Sequence, residues 1–382
     1  MIYFDNSSTT FPKPETVKEA VMTAFSEYGG NPGRSANTMS KNTALKIQET
    51  RENIADFFGA KNPLDVVFTS NCTHATNIAI KGLLKNGDHV IISDVEHNAI
   101  LRPIHTLAQR GLITYSIAKT FPDAKATMES FDNLICPATR LIACSHASNI
   151  LGAINPLKEI GALCKKNGIF FLVDAAQTAG ILDIDVSALC IDFLCTAGHK
   201  SLYGPTGTGL LVTPKSDILD TMIEGGTGTL SEVYEQPRVM PEYLESGTPN
   251  TLGILGLNAG VSFIKKETCA HIYKHEMNIA LEIFRELSKN KYITLYESDF
   301  SFGTHVPIVL FNIEGIKAVD VMSKLSDMGF AIRSGLHCSP LSHEKIGTIG
   351  IGANRISVGA FNTLHEAEQL CAAIKRITGE RA

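Results

Sequence analysis

Short apolar runs alternate with amphipathic stretches through the middle of the chain. The apolar runs, which predict buried strands, are Asp65–Thr69, His89–Ser93, Arg140–Ser145, Ile169–Asp174, Asp192–Thr196 and Gly209–Val212. Amphipathic stretches that predict helices lie between several of them, at Thr76–Leu84, Ile100–Arg110 and Pro156–Lys166. Continuous apolar strands separated by helices are typical of a mainly parallel sheet with helices on both faces. The pattern therefore predicts an α/β fold.

The pattern changes after Gly260. Predicted helices and mixed strands then follow in the order Val261–Lys274, Met277–Lys289, Val306–Phe311, Phe330–Arg333 and Leu364–Thr378. This change predicts a large domain of residues 15–259 and a smaller α/β domain of residues 260–382. We expect the N-terminal residues 1–14 to pack against the smaller domain.

Composition narrows the class of protein. The 382 residues carry a net charge of -5, so no broad basic surface indicates nucleic-acid binding. No apolar run reaches the ~18 residues that a membrane span needs, and the N-terminus lacks the pattern of a signal peptide. The nine cysteines include no CxxC pair, which argues against a metal site or a disulfide framework. We expect a cytoplasmic protein.

Two charged residues follow buried strands. Lys200 lies in a glycine-rich loop, where a desolvated amine has a lowered pKa and can form a Schiff base; a surface lysine is the alternative. Asp174 ends an apolar strand, where a carboxylate is costly without a charged partner such as a protonated pyridine nitrogen. Gln177 lies one turn on, within reach of a ring oxygen. The alternative for Asp174 is a helix N-cap.

Three further side chains have both a chemical and a structural interpretation. Thr73 opens a helix predicted to begin near Ala75, whose N-terminus favours a phosphate, or it is only an N-cap. His97 could stack on a planar ring and move protons, or be a satisfied polar residue. Arg355 could bind a carboxylate with two parallel hydrogen bonds, or form a surface salt bridge.

Cys338 lies in a loop marked by glycine, serine and proline, which predicts that its thiol is accessible. The neighbouring Arg333 and His337 could favour the thiolate, which is the reactive form of the side chain. An inert loop cysteine is the alternative.

Five motifs occur together in one order along the chain. They are His146-Ala147-Ser148-Asn149-Ile150-Leu151-Gly152, Val173-Asp174-Ala175-Ala176-Gln177, Gly198-His199-Lys200, Glu245-Ser246-Gly247-Thr248-Pro249-Asn250-Thr251 and Arg333-Ser334-Gly335-Leu336-His337-Cys338. With these motifs the chain resembles the class V aminotransferase-fold enzymes that use pyridoxal 5'-phosphate (PLP). Within them it resembles the cysteine desulfurases, particularly the SUF-like group II with the selenocysteine lyases. The resemblance runs from Tyr3 to Thr363.

The resemblance implies fold type I and a role for each matching residue. Lys200 resembles the lysine that holds PLP, and the other residues expected at the cofactor are Asp174, Gln177, His97, Thr73, Cys72, His199, Asn149 and Thr248. Arg355, Asn149 and Arg333 resemble residues that bind substrate, with Arg355 on its carboxylate. The expected catalytic residues are Lys200, His97 and Cys338, the last as the nucleophile that accepts sulfur. Thr248 resembles a threonine that reaches the phosphate of the neighbouring subunit, which implies a homodimer.

The activity that the resemblance implies is conversion of L-cysteine to L-alanine, with sulfur held on Cys338 as a persulfide until a thiol or an acceptor protein takes it. A selenocysteine lyase or another class V reaction is the alternative. Three places depart from the family pattern: Ala197 replaces a phosphate-binding serine, Ser201 lengthens the loop after the lysine, and Asn71-Cys72-Thr73 replaces the usual phosphate turn. These changes suggest a divergent branch rather than loss of the cofactor site.

Overall fold

The computed structural model describes residues 1–33, 37–297 and 299–379. The helices are α1 (Glu15–Glu27), α2 (Thr38–Phe57), α3 (Cys72–Leu83), α4 (Asn98–Gln109), α5 (Ala124–Asp132), α6 (Leu157–Asn167), α7 (Thr251–Glu267), α8 (Cys269–Ser288), α9 (Ala318–Asp327), α10 (Pro340–Lys345) and α11 (Leu364–Gly379). The strands are β1 (Ile2–Tyr3), β2 (Val66–Thr69), β3 (His89–Ser93), β4 (Thr114–Ala118), β5 (Thr139–Ser145), β6 (Phe170–Asp174), β7 (Phe193–Ala197), β8 (Gly209–Val212), β9 (Ile293–Leu295), β10 (Ile308–Ile313), β11 (Phe330–Ala331), β12 (Arg333–Gly335) and β13 (Ala353–Ser357).

The large sheet has seven strands in the order β2-β8-β7-β6-β5-β3-β4. Strands β3 to β7 pair in parallel, and β8 runs antiparallel to both β2 and β7. Every residue of β3, β7 and β8 is buried, because helices pack on both faces of the sheet. The predicted α/β fold with a mainly parallel sheet is confirmed.

The carboxyl ends of β3, β5, β6 and β7 lie along one edge of this sheet, because these strands are parallel and adjacent. Ligands in open α/β sheets bind at this edge. His97 follows β3, Asn149 follows β5, Asp174 ends β6 and Lys200 follows β7. The topology therefore brings together residues as far apart in the chain as His97 and Lys200.

A smaller antiparallel sheet has the order β12-β13-β10-β9, and β1 pairs in parallel with β11 beside it. The fully buried Phe4 packs in the core that this sheet forms with α8, α9 and α11. The division into domains at residue 260 remains a proposal. That position falls inside α7, where Val261 and Ile264 pack in the core of the large sheet.

The prediction of one continuous helix at Val261–Lys274 is wrong at the centre of that range. The chain breaks there into α7 and α8, because Thr268 takes a left-handed conformation with φ of 69°. The side chain of Thr268 then caps α8, where its hydroxyl accepts a hydrogen bond of 3.2 Å from the backbone N–H of His271. A run of helix-forming residues did not reveal this break.

Over the three ranges that the structure describes, no helix combines the length and the apolar character needed to cross a membrane.

Candidate active site

A cavity of about 210 Å³ lies at the carboxyl edge of the large sheet. The sequence-predicted residues that line it are Cys72, Thr73, His97, Asn149, Asp174, Gln177, His199, Lys200, Arg333 and Arg355. Cys338 and Thr248 lie outside this lining. Ser7 and Ser8 also line the cavity, although sequence reasoning gave them no site role. His337, which was expected only to favour the Cys338 thiolate, lines it as well.

Lys200 and Asp174 face the same cavity from the ends of adjacent strands. Burial lowers the pKa of Lys200, and the nearby Asp174 carboxylate partly offsets this. Asp174 accepts hydrogen bonds at Oδ1 from the backbone N–H of Ala176 (2.9 Å) and the thiol of Cys72 (3.3 Å). The N-cap alternative for Asp174 is wrong, because residues 175–179 form a turn and no helix.

The N-terminus of α3 lies beside this pair. The helix begins at Cys72, three positions before the predicted start, and its N-cap is Asn71, which accepts a hydrogen bond of 2.9 Å from the backbone N–H of His74. Thr73 therefore stands in the first turn and is not the cap, and its side chain is exposed toward the cavity. Burial and the Asp174 charge raise the pKa of the Cys72 thiol, which is therefore neutral.

His97 is the N-cap of α4. Its Nδ1 accepts a hydrogen bond of 3.0 Å from the backbone N–H of Ala99. Burial, with a smaller contribution from Lys200, lowers the pKa of His97 to about 4. The ring is therefore neutral at ordinary pH, and its proton lies on Nε2, the nitrogen that is free of the cap.

His199 immediately precedes Lys200 in the chain. Its Nδ1 is buried and has no hydrogen-bond partner in the described part of the chain, and burial lowers its pKa to about 4. The N-terminal segment holds its backbone: the carbonyl oxygen of His199 accepts hydrogen bonds from the Thr10 backbone N–H (3.2 Å) and the Lys13 ammonium (2.6 Å). The hydroxyl of Thr10 also donates to the carbonyl of Lys200 at 2.9 Å. Ala197, at the position of the usual serine, is buried.

Arg355 is 1 % exposed, so the surface salt bridge considered as an alternative is wrong. Its guanidinium donates to the Asn149 carbonyl (2.9 Å), the Asp5 carboxylate (2.8 Å) and the Ser8 hydroxyl (2.9 Å). Its buried Nε has no partner within the described residues. Arg333 donates to the same Ser8 hydroxyl at 2.9 Å. Two cations thus share one wall of the cavity, and the N-terminal segment orients both.

The exposed Cys338 is attached to the cavity wall by its backbone. The carbonyl of Cys338 accepts a hydrogen bond of 2.8 Å from the backbone N–H of Asn98, and the Asn149 side chain donates to the carbonyl of His337 at 2.8 Å. Burial, and then Arg355, lowers the pKa of His337 to about 3. His337 is therefore neutral, which corrects the expectation that its charge favours the Cys338 thiolate.

Thr248 lies apart from these residues. It lines a second cavity of about 220 Å³ together with Ser70 and His74, and its hydroxyl accepts a hydrogen bond of 3.3 Å from the side chain of Asn31. Within one chain, the structure does not bring Thr248 to Lys200.

The chemistry of the first cavity fits PLP. A desolvated amine suits the aldehyde of this cofactor, and the buried Asp174 carboxylate suits its ring nitrogen. The orphaned Nδ1 of His199 and the first turn of α3 suit its phosphate. The fold and these side chains together define a fold type I enzyme of the kind that uses PLP.

Comparisons with known proteins identify the family. The model of the class-V aminotransferase family matches residues 2–370. A probable cysteine desulfurase of Methanothermobacter thermautotrophicus is 33% identical over 99% of this chain and 95% of its own length. A cysteine desulfurase of Haloferax volcanii is 30% identical over 98% of this chain and 88% of its own length. The apo structure of a cysteine desulfurase from Thermococcus onnurineus NA1 superposes with a TM-score of 0.92 and 30% identity, covering 99% of this chain and 94% of that one. The chain belongs to the class-V aminotransferase family and, within it, to the cysteine desulfurases.

Proposed function

We propose that this enzyme converts L-cysteine to L-alanine and collects the sulfur as a persulfide on Cys338. The observation that carries the proposal is the attachment of the Cys338 loop to the cavity through Asn98 and Asn149. An aminotransferase needs the lysine and the cofactor ring but no thiol at the mouth of the site. A tethered, accessible thiol is what sulfur transfer requires.

PLP, when bound, supplies an aldehyde carbon that links to an amino group and a ring that withdraws electrons from the substrate. Lys200 would hold the aldehyde carbon, and Asp174 would keep the ring nitrogen protonated. Gln177 lines the same cavity, but its side chain also donates to the carbonyl of Ser7 at 3.3 Å. Thr73 and His199 would hold the phosphate at the N-terminus of α3.

Two arginines would orient the substrate. The guanidinium of Arg355 is almost fully buried, and its unpartnered Nε–H supports a hydrogen bond to the substrate carboxylate. Arg333, fixed through Ser8, adds a second positive charge on the same wall. Lys200 then takes the proton from Cα as a free amine, since its lowered pKa favours the neutral form. His97, neutral with its proton on Nε2, would supply a proton to the substrate.

Cys338 would carry out the sulfur transfer. Its thiolate attacks the substrate sulfur, so a sulfur–sulfur bond forms and the bond between Cβ and sulfur breaks. The electron pair of the broken bond stays with Cβ, which a proton then converts into the methyl group of alanine. The persulfide leaves when an external thiol or an acceptor protein takes its outer sulfur. A reducing cytoplasm would keep Cys338 in the thiol form between turnovers.

Product analysis of the wild-type holoenzyme tests this function. With L-cysteine as substrate, we expect alanine and protein-bound persulfide in a one-to-one ratio during the first turnover. Peptide mapping should locate the persulfide on Cys338 and not on Cys136, the other exposed cysteine. Free sulfide with alanine but no persulfide would contradict the proposal, as would no reaction with cysteine by a yellow, folded protein.

We also propose a homodimer in which Thr248 reaches the phosphate site of the other subunit. Its exposure and its distance from Lys200 in its own chain support this arrangement. Thr248→Val should weaken PLP binding by about tenfold to 10²-fold, because one hydrogen bond to a charged group contributes ~1.5–3 kcal/mol.

Titration of the apoprotein with PLP measures this change, and Thr114→Val, at an exposed position of β4, is the matched control. Unchanged affinity for PLP in Thr248→Val, together with a monomeric mass in solution, would overturn the shared site.

A further inference from the structure

A chain of side-chain hydrogen bonds runs from α10 to the loop of Cys338. His337 and His343 are 4% and 0% exposed, and their ring nitrogens Nδ1 and Nε2 lie 3.4 Å apart. The second ring nitrogen of His343, Nδ1, lies 2.7 Å from the hydroxyl of Thr348. The second nitrogen of His337, Nε2, lies 3.4 Å from the carbonyl oxygen of Arg333.

The two imidazole rings meet edge to edge in one plane. Their planes differ by 8° and their centroids are 5.7 Å apart. Each nitrogen lies about half a ring width from the centroid of its own ring. The centroid separation exceeds the 3.4 Å between the nitrogens by about one full ring width, so both nitrogens must lie near the line that joins the centroids. The contact is therefore an in-plane hydrogen bond rather than face-to-face stacking, and it fixes the orientation of both rings.

The acceptors determine where each proton lies. The carbonyl oxygen of Arg333 can only accept, so His337 donates from Nε2 and its Nδ1 must accept. His343 therefore donates from Nε2, and its own Nδ1 accepts from the Thr348 hydroxyl. Burial lowers the pKa of both histidines, that of His337 to about 3, which keeps both rings neutral as this arrangement requires.

The backbone that this series of hydrogen bonds supports is strained. His337 and Cys338 have φ of 51° and 60°, the left-handed region that residues with a side chain rarely adopt. Such a conformation persists only where the surroundings hold it. Hydrogen bonds to the carbonyls of both residues hold one side of the turn. The ring of His337, anchored by His343, holds the other.

We infer that His343 is a positioning residue for Cys338. Its Nε2–H holds the ring of His337, and that ring keeps the left-handed turn that presents the thiol at the mouth of the cavity. His343 itself does not line the cavity, so it acts through His337. The role deepens the proposed sulfur transfer and rests on it, because it concerns the placement of the same nucleophile.

His343→Phe tests the inference in the PLP-loaded enzyme. Phenylalanine keeps a planar ring of slightly larger size but has no ring nitrogen. His337 therefore loses its hydrogen-bond donor, and the turn loses the support of the His337 ring. We expect kcat for alanine formation to fall between about tenfold and 10²-fold, because a displacement of ~1 Å at a reacting group has an effect of that size. The KM for cysteine should stay within about twofold of wild type, since the arginine wall is unchanged. His343→Gln keeps a side-chain N–H donor and should restore most of the rate.

A second measurement does not depend on desulfurase activity. The rate of Cys338 alkylation by iodoacetamide, followed by peptide mapping in the enzyme without substrate, reports the placement and exposure of the thiol. It should change at least about threefold in His343→Phe and return toward wild type in His343→Gln. His365→Phe, at an exposed histidine of α11, is the matched control and should change neither reading.

The outcomes separate the inference from the proposed function. A folded, yellow His343→Phe enzyme with wild-type alkylation and wild-type kcat overturns the positioning role. Absence of persulfide in the wild type overturns the proposed function, and the alkylation rates still decide whether His343 holds the loop. If His343→Phe does not fold, Thr348→Val carries the same test, because it removes only the hydroxyl that donates to His343; unchanged alkylation there overturns the role.

Discussion

Lys200→Arg is expected to abolish alanine formation, with a loss of at least about 10⁴-fold, while the protein remains folded. Arginine supplies a positive charge beside Asp174, so the exchange does not leave that buried carboxylate without a cation. It cannot lose its proton in a protein, however, and so can neither form a covalent link with an aldehyde nor act as a base. The lowered pKa of Lys200, caused mainly by burial, is what makes both roles available to the native side chain.

Borohydride reduction followed by mass spectrometry reads the covalent link directly. Wild type incubated with PLP should gain the mass of one reduced cofactor on the peptide that contains Lys200, and Lys200→Arg should gain none. Lys165→Arg, the same exchange at an exposed lysine of α6, should behave as wild type. Trapping of the cofactor on another lysine of Lys200→Arg, with activity retained, would show that the assignment of Lys200 is wrong.

The large sheet could be predicted because its strands are buried on both faces. Strands β3 and β8 were predicted residue for residue, and the other predicted strands of this sheet were placed within a residue at each end. Strand β4 was not predicted, because an edge strand that is only half buried lacks a continuous apolar run. The antiparallel direction of β8 could not be predicted either, because the spacing of apolar residues does not indicate the direction in which a strand runs.

The cavity could be predicted in part, because parallel strands place their following residues at one edge. The residues that escaped prediction contribute through long-range contacts. Asp5 and Ser8 lie about 350 positions from Arg355, and no local pattern connects them. His343 lies in a six-residue helix, and the sequence of this helix resembles that of any short amphipathic segment. A charged residue at the end of a buried strand can be recognised in the sequence, because burying its charge is costly without a partner. A residue that only orients another side chain has no such local feature.

Cys338→Ser is expected to form no persulfide and to lose at least about 10⁴-fold in alanine formation from L-cysteine. The change replaces one atom. The backbone carbonyl at this position should still accept the hydrogen bond from Asn98, so the loop should keep its shape. A serine hydroxyl is a far weaker acid than a thiol and does not exchange sulfur, so the substrate sulfur has no acceptor. The PLP absorbance and its change on adding cysteine should persist, because neither requires this side chain.

Two comparisons determine what the loss means. Cys136→Ser, at the other exposed cysteine, should retain full activity, since that residue precedes β5 at its amino end, whereas the cavity lies at the carboxyl edge of the sheet. Selenocysteine as substrate should be less sensitive to Cys338→Ser, because selenolate leaves carbon more readily than thiolate does. Equal activity of Cys338→Ser and wild type on cysteine would refute the persulfide mechanism. If wild type acts only on selenocysteine, the same fold and cofactor would serve a selenocysteine lyase, and the tethered thiol would then favour the departure of selenium rather than receive sulfur.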